Sequence, residues 1–187
     1  MTIHTLLLVR HGEASASWGE HNDPGLSKEG QNQAHALIDY FAKDDLDKYN
    51  FISSPKRRAL ETSQPLAKFY NKDVIACKAF SEIPSDNIPN ERKQEWLKNI
   101  MLQEQIMLPD MVKDWKNRIM EELFLFKSHT IIFSHFMVIN TIISSILNNQ
   151  QLLHFYPDYT SSTRLILKDN EIKEIILGDN KKTLINL

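Results

Sequence analysis

Two short apolar runs constrain this chain more than anything else in it. Leu6-Leu7-Leu8-Val9 and Ile131-Ile132-Phe133 are continuous rather than alternating. That is the pattern of β-strands covered on both faces, and such strands occur in mostly parallel sheets sandwiched between helices. The first run stops at Arg10-His11-Gly12 and the second at Ser134-His135. In an open α/β sheet, ligands lie beyond the carboxyl ends of the strands, so two histidines stand where chemistry is expected.

The rest of the chain alternates in the same way. Ile3 to Val9 reads as the first strand, and Ser27-Lys28-Glu29-Gly30 as a helix start, with Ala34, Leu37, Ile38 and Phe41 at helical spacing to about Lys43. Tyr49 to Ser53 reads as a second strand, and Ser54-Pro55 as an N-cap followed by proline at the first helical position. Val74 to Cys77 is a third strand, and Phe80 to Asn90, rich in Pro, Asn, Asp and Ser, is a loop. Glu91 to Lys127 is helical with a break near Leu108-Pro109, its second part placing Met111, Trp115, Ile119 and Leu123 on one face. Thr130 to Ser134 is the next strand and Met137 to Leu147 an apolar helix. Thr163 to Leu167 and Ile172 to Leu177, around Asp169-Asn170, form a hairpin at a sheet edge. The expected fold is an α/β three-layer sandwich, with a mostly parallel sheet and an antiparallel edge hairpin, in one domain over residues 1–187.

Composition narrows the function classes. Lys and Arg total 22 against 24 Asp and Glu, so no basic excess argues for nucleic acid. Any anion site must be built locally. Trp18, Trp96 and Trp115 have no basic stripe between them and read as core or rim packing. Cys77 is the only cysteine, which excludes an internal disulfide and suits a reducing cytoplasm. The start Met1-Thr2-Ile3-His4-Thr5 lacks the pattern of a secretory signal, and no apolar run reaches membrane-spanning length. His4, His21, His35, His129 and His154 show no zinc-ligand spacing, so no metal and no cofactor are expected. Neither a phosphate-binding Gly-Lys-Ser/Thr loop nor Gly-x-Gly-x-x-Gly is present.

Cleaving a phosphate monoester without a metal takes a nucleophile, fixed positive charge around the phosphoryl oxygens and an acid for the leaving oxygen. Arg10, His11, Arg58, Glu82 and His135 supply these types, and strand-end loops bring together residues distant in sequence. The segment Leu8-Val9-Arg10-His11-Gly12-Glu13 resembles the signature of the histidine phosphatase superfamily, which includes cofactor-dependent phosphoglycerate mutases, fructose-2,6-bisphosphatases and many small phosphatases. Further matches follow in the family's order: Leu26 to Gly30 with Gln33-Ala34, Ser53 to Ala59 with Glu61-Thr62, Glu82, and Phe133-Ser134-His135. Five ordered blocks are a far more specific signal than one tripeptide.

The resemblance implies a phosphoglycerate-mutase-like sandwich and a role for each matching residue. His11 is the nucleophile that becomes phosphohistidine, attacking as the neutral imidazole. Arg10 and Arg58 clamp the phosphoryl oxygens, Arg58 rather than Arg57 because it precedes Ala59. His135 completes the phosphate pocket as a cation, and Glu82 protonates the leaving oxygen and then activates water. Glu13 is read as a structural or rim residue, and Gly12 as a turn that lets backbone approach a ligand.

The chain departs from the family pattern twice. Phe136 stands where the family usually has glycine, and Ser17 where the mutases have asparagine; a hydroxyl still donates to phosphate, so Ser17 stays a candidate ligand. The Gly-Glu-Ser segment that mutases use around the sugar phosphate is missing. These departures favour a phosphatase acting on a small phosphate ester or a phosphorylated protein. The alternatives are phosphoglycerate-mutase-type transfer and a non-catalytic relative that binds a phosphorylated ligand or partner. Oligomeric state is open.

Overall fold

The computed structural model describes residues 3–17, 21 and 23–180. Six strands form one sheet: β1 (Ile3–Arg10), β2 (Asn50–Ser53), β3 (Val74–Ala76), β4 (Thr130–Ser134), β5 (Ser162–Lys168) and β6 (Glu171–Ile176). Their order is β3-β2-β4-β1-β5-β6. The first four are mutually parallel, and β5 and β6 run antiparallel as the edge hairpin. Asp169 and Asn170 close that hairpin with φ of 50° and 71°. A two-residue turn with both residues left-handed matches the twist of the strands it joins, and Asp and Asn tolerate that conformation.

The continuous apolar run of β1 is split between two cores. Leu6 and Leu8 face one side, with Ile52, Ile132 and residues of α3 (Lys93–Leu102), α4 (Asp110–Leu123) and α5 (Phe136–Ile146). Leu7 and Val9 face the other, with Phe51, Ile131, Phe133 and residues of α1 (Lys28–Tyr40) and α2 (Arg57–Phe69). Each such buried Leu or Phe contributes about 1.5–3 kcal/mol. One strand thus ties three layers together, and a polar residue at either parity of its pattern would open one of them.

Several boundaries differ from expectation, each for a local reason. α1 starts where predicted, with the Ser27 hydroxyl accepting the Gly30 N–H at 3.0 Å, but ends at Tyr40. Ser54 is not the cap of α2; that helix begins at Arg57 after Lys56, because the Ser54 hydroxyl is engaged with His135. The break in the long helical stretch begins at Gln103, well before Pro109, and a short 3-10 turn fills Gln105–Met107. Trp115, Ile119 and Leu123 are buried as expected, with Val112 rather than Met111 completing their face. Trp18 lies outside the described residues.

Candidate active site

The register of two parallel strands creates the site. Arg10 of β1 is paired with Ser134 of β4, so the next residues, His11 and His135, emerge side by side with ring centroids 5.2 Å apart. The His11 amide donates to the Ser134 carbonyl at 2.9 Å, extending the ladder one residue past the strand. Gly12 then turns away. A Cβ on it would meet the Gly30 carbonyl oxygen at 2.7 Å, so packing against the first turn of α1 is enough to require glycine here. Gly30 answers from the other side, where a Cβ would run into the Glu13 carbonyl. Glu13 is structural: its carboxylate accepts from the Ser27 hydroxyl at 2.7 Å.

His11 is 7% exposed and both ring nitrogens are engaged. Nδ1 faces the Gly12 carbonyl at 2.7 Å, and Arg58 Nε donates to Nε2 at 3.0 Å. A carbonyl only accepts and a guanidinium only donates. The proton therefore sits on Nδ1, and Nε2 presents its lone pair to a buried cation. Burial first, then Arg58 and Arg10, hold the imidazole well below its ordinary pKa, so the ring is the neutral nucleophilic form at physiological pH.

Arg58, on the first turn of α2, is 6% exposed. Thr62, one turn on, locks this helix to the signature loop: its hydroxyl donates to the Arg58 carbonyl at 2.6 Å and accepts the Gly12 N–H at 3.0 Å. Arg57 turns outward and pairs with Glu61 at 3.1 Å. Arg10 is 2% exposed, its Nη1 held by the Pro157 carbonyl at 2.9 Å.

His135 is fully buried, with Nε2 2.8 Å from the Ser54 hydroxyl. That hydroxyl also accepts from the Lys56 N–H at 3.3 Å, and its own hydrogen can go to Nε2, an arrangement that puts the ring proton on Nδ1. The resemblance implies a cationic ring here. Instead burial, with Arg58 and His11 next, lowers its pKa well below the ordinary value and favours a neutral donor. His135 Nδ1 and Arg10 Nε are both buried without a protein partner. Buried donors of this kind are costly unless something accepts from them, and an anion between them would.

Glu82 follows β3 through a short 3-10 turn, Lys78–Phe80. The backbone before it is pinned twice: Ser134 Oγ donates to the Phe80 carbonyl at 2.8 Å, and Trp115 Nε1 donates to the Ser81 carbonyl at 2.9 Å. Burial raises the Glu82 carboxyl above its usual range, against the opposing pull of Arg58 and of the Ile83 N–H that donates to it at 2.9 Å. A carboxyl so placed holds a proton longer than an exposed one, as a general acid must.

Arg10, His11, Arg58 and Glu82 line one cavity of about 730 Å³, together with Phe136 and Tyr159; His135, fully buried, touches the His11 ring but is not on the cavity wall. Among the described residues Lys56, Lys78, Lys93 and Arg118 join the two arginines on its walls, against Glu82 and Asp86, although the chain as a whole is at −2. Positive charge is thus concentrated locally. Ser17 is half-buried and follows Ala16, which lines the cavity, but is not itself on the wall. Sequence reasoning did not single out Ser54 as a partner of His135, Thr62 as a link, or Tyr159 and the Pro157 carbonyl beside Arg10. Ser54 and Thr62 lie within a matching block; Pro157 and Tyr159 carry no local signal at all. Among the described residues no cluster of three or more His, Cys, Asp or Glu is arranged to hold a metal, and no helix is long and apolar enough to cross a membrane.

A mixed six-stranded α/β sandwich, with a histidine beyond the ends of two neighbouring parallel strands and two buried arginines beside them, is a fold of the phosphoglycerate-mutase-like type. Residues 6–180 match the histidine phosphatase superfamily, branch 1, and the chain belongs to that family. A search of curated proteins found no match. Among solved structures, the fold is similar to a phosphoserine phosphatase from Entamoeba histolytica, with a TM-score of 0.74 at 23% identity and all of both chains covered. It is also similar to an alpha-ribazole phosphatase from Shigella flexneri, with a TM-score of 0.70 at 17% identity, covering 94% of this chain and 96% of that one. A phosphoglycerate mutase from Bacillus anthracis gives a TM-score of 0.66 at 17% identity, covering 92% and 91%.

Proposed function

We propose that this protein is a phosphatase of small phosphate monoesters, working through a phosphohistidine on His11 and needing no metal. The observation that carries the reading is the pair of hydrogen bonds on His11, which aim a neutral Nε2 lone pair at the guanidinium groups that would hold the phosphoryl oxygens. Nε2 attacks phosphorus as the bond to the leaving oxygen breaks, and Glu82 gives that oxygen its proton. The positive charge that forms on the ring is stabilised through Nδ1–H and the Gly12 carbonyl. Arg10, Arg58 and His135 Nδ1–H take the three phosphoryl oxygens. In the second step water attacks phosphorus, Glu82 as carboxylate accepts the water proton, the nitrogen–phosphorus bond breaks and inorganic phosphate leaves.

Ser17 belongs to this reading as a rim donor to phosphate. Hydrolysis is favoured over mutase chemistry by the serine at position 17 and the missing Gly-Glu-Ser segment, and a small ester over a phosphoprotein by the bounded cavity. The solved neighbours named for phosphoserine and alpha-ribazole phosphatase activity point the same way. We place the enzyme in the cytoplasm as a single domain, in keeping with its lone Cys77. The test is a panel of phosphate esters with phosphate release and isomerised product both measured, and mass analysis of acid-labile phosphate on His11. Turnover that survives His11→Asn, or isomerised product without phosphate release, would overturn the reading.

A further inference from the structure

We propose that Tyr159 and Phe136 are positioning residues for Arg10, a pair of rings that holds its guanidinium ready for the phosphoryl group. The inference rests on the phosphatase reading for its purpose but on separate geometry. Arg10 Cζ lies 4.1 Å from the centroid of the Tyr159 ring and 5.4 Å from that of Phe136. With Nη1 held by the Pro157 carbonyl, the guanidinium has little freedom left. Phe136 is backed in turn by Tyr156, ring centroids 5.8 Å apart. Phe136 is the residue that replaces the family's usual glycine, so the departure supplies a wall that glycine cannot.

Tyr159 is delivered by a strap, residues 157–161, laid across the end of β1. Thr160 N–H donates to the Arg10 carbonyl at 3.0 Å, and Arg10 N–H to the Ser161 carbonyl at 3.2 Å. Inside the strap, the Tyr159 N–H donates to the Asp158 side chain at 2.9 Å and the Ser161 hydroxyl to the Asp158 carbonyl at 2.8 Å. Thr160 sits at φ 56°, in the left-handed region that a β-branched residue adopts only where its surroundings over-determine it. The strain is kept at the residue next to the ring that covers Arg10.

Aromatic faces attract a guanidinium and, by excluding water, strengthen its charge toward an anion. A pre-set Arg10 also loses less freedom when phosphate binds. The experiment compares wild type with Tyr159→Leu, Tyr159→Phe and Phe136→Leu, reading the Kd of inorganic phosphate by calorimetry and kcat and KM on para-nitrophenyl phosphate. Tyr159→Leu should weaken phosphate about tenfold and raise KM more than it lowers kcat. Tyr159→Phe, which keeps the ring, should recover phosphate binding to within about threefold of wild type, and Phe136→Leu, at the longer distance, should lose less than Tyr159→Leu. Thermal melts check that each variant is folded, and the Phe variant decides the matter even if a Leu variant is not. The proposal falls if Tyr159→Leu binds phosphate like wild type, or if Tyr159→Phe loses as much as Tyr159→Leu. Because phosphate binding needs no turnover, weakened binding without hydrolysis would retain the clamp and refute the phosphatase reading. Hydrolysis with unaltered phosphate binding would do the reverse.

Discussion

The ends of β1 and β4 are built alike and finish differently. Each is a buried parallel strand that ends in a histidine, and the two rings are 5.2 Å apart. At β1 the ring is held by a carbonyl on Nδ1 and accepts from a guanidinium at Nε2, so the unprotonated nitrogen is the one beside the positive charge. At β4 the ring is anchored through Nε2 to Ser54, and Nδ1 is left as a buried donor. In the proposed mechanism, neighbouring partners and not the residue type decide which histidine serves as nucleophile and which as hydrogen-bond donor. Burial and the two arginines lower the pKa of both.

The largest effect that tests this division is at β1. His11→Asn should abolish the phosphoenzyme and lower kcat/KM by about 10⁶, the scale on which a nucleophile is lost. His135→Asn should retain phosphoenzyme formation and cost about 10²–10³, the scale of one transition-state donor. Equal losses would mean that the two strand ends do not differ in role. Glu82→Gln should lower kcat/KM, which reports the first half-reaction, by about 10²–10⁴ on esters with poor leaving groups and far less on para-nitrophenyl phosphate, whose leaving group needs no protonation. The same variant should reshape the pH profile. The proposed mechanism needs neutral His11, whose pKa is lowered from 6.5, and protonated Glu82, whose pKa is raised from 4.5. The rate on poor leaving groups should therefore fall as pH rises through the Glu82 pKa, and Glu82→Gln should remove that alkaline fall. A profile that keeps it in the variant would assign the acid elsewhere.

Ser54→Ala sharpens the comparison at smaller cost. It removes the anchor of His135 along with the longer contact from the Lys56 N–H, so about a tenfold loss is expected, most of it absent in a His135→Asn background. The smallest effect is on stability. Both histidines have folded-state pKa values below the unfolded value near 6.5, so below that pH the unfolded chain takes up protons that the folded one does not, and stability falls with pH. Each can contribute up to about 1.4 kcal/mol per pH unit below 6.5. Glu82, raised in the folded state, works the opposite way across its own range, so the melts are best compared in Glu82→Gln. There, His11→Asn and His135→Asn should each flatten the fall in melting temperature between pH 7 and 5.5; an unchanged slope in both would mean that neither ring is held neutral.

Much was legible from local pattern. The run Leu6 to Val9, with neither alternation nor helical spacing, leaves a two-face strand as its only economical use, and Leu6 and Leu8 against Leu7 and Val9 do divide between two cores. Asp169-Asn170 names its hairpin because few residue pairs accept two left-handed conformations. Ser54 shows the limit: serine before proline reads as a helix cap, yet its hydroxyl is taken by a histidine 81 positions away. Gly12 reads as a tight turn, but that the backbone at Gly30 packs against it is visible only in the fold.

By itself the sequence determined the layered α/β class and the strand ends that carry histidine, and required that any concentration of positive charge be local. These follow from periodicity and residue chemistry, which act over a few neighbours. Only the tertiary structure decided that β1 and β4 are adjacent in the register that sets Arg10 against Ser134, and that Arg58 points at Nε2. Nor does anything near positions 157–161 announce that a strap 147 residues from Arg10 would cover it. Register and side-chain partnership depend on how whole layers pack, and that information is spread over the chain, not held in any one motif.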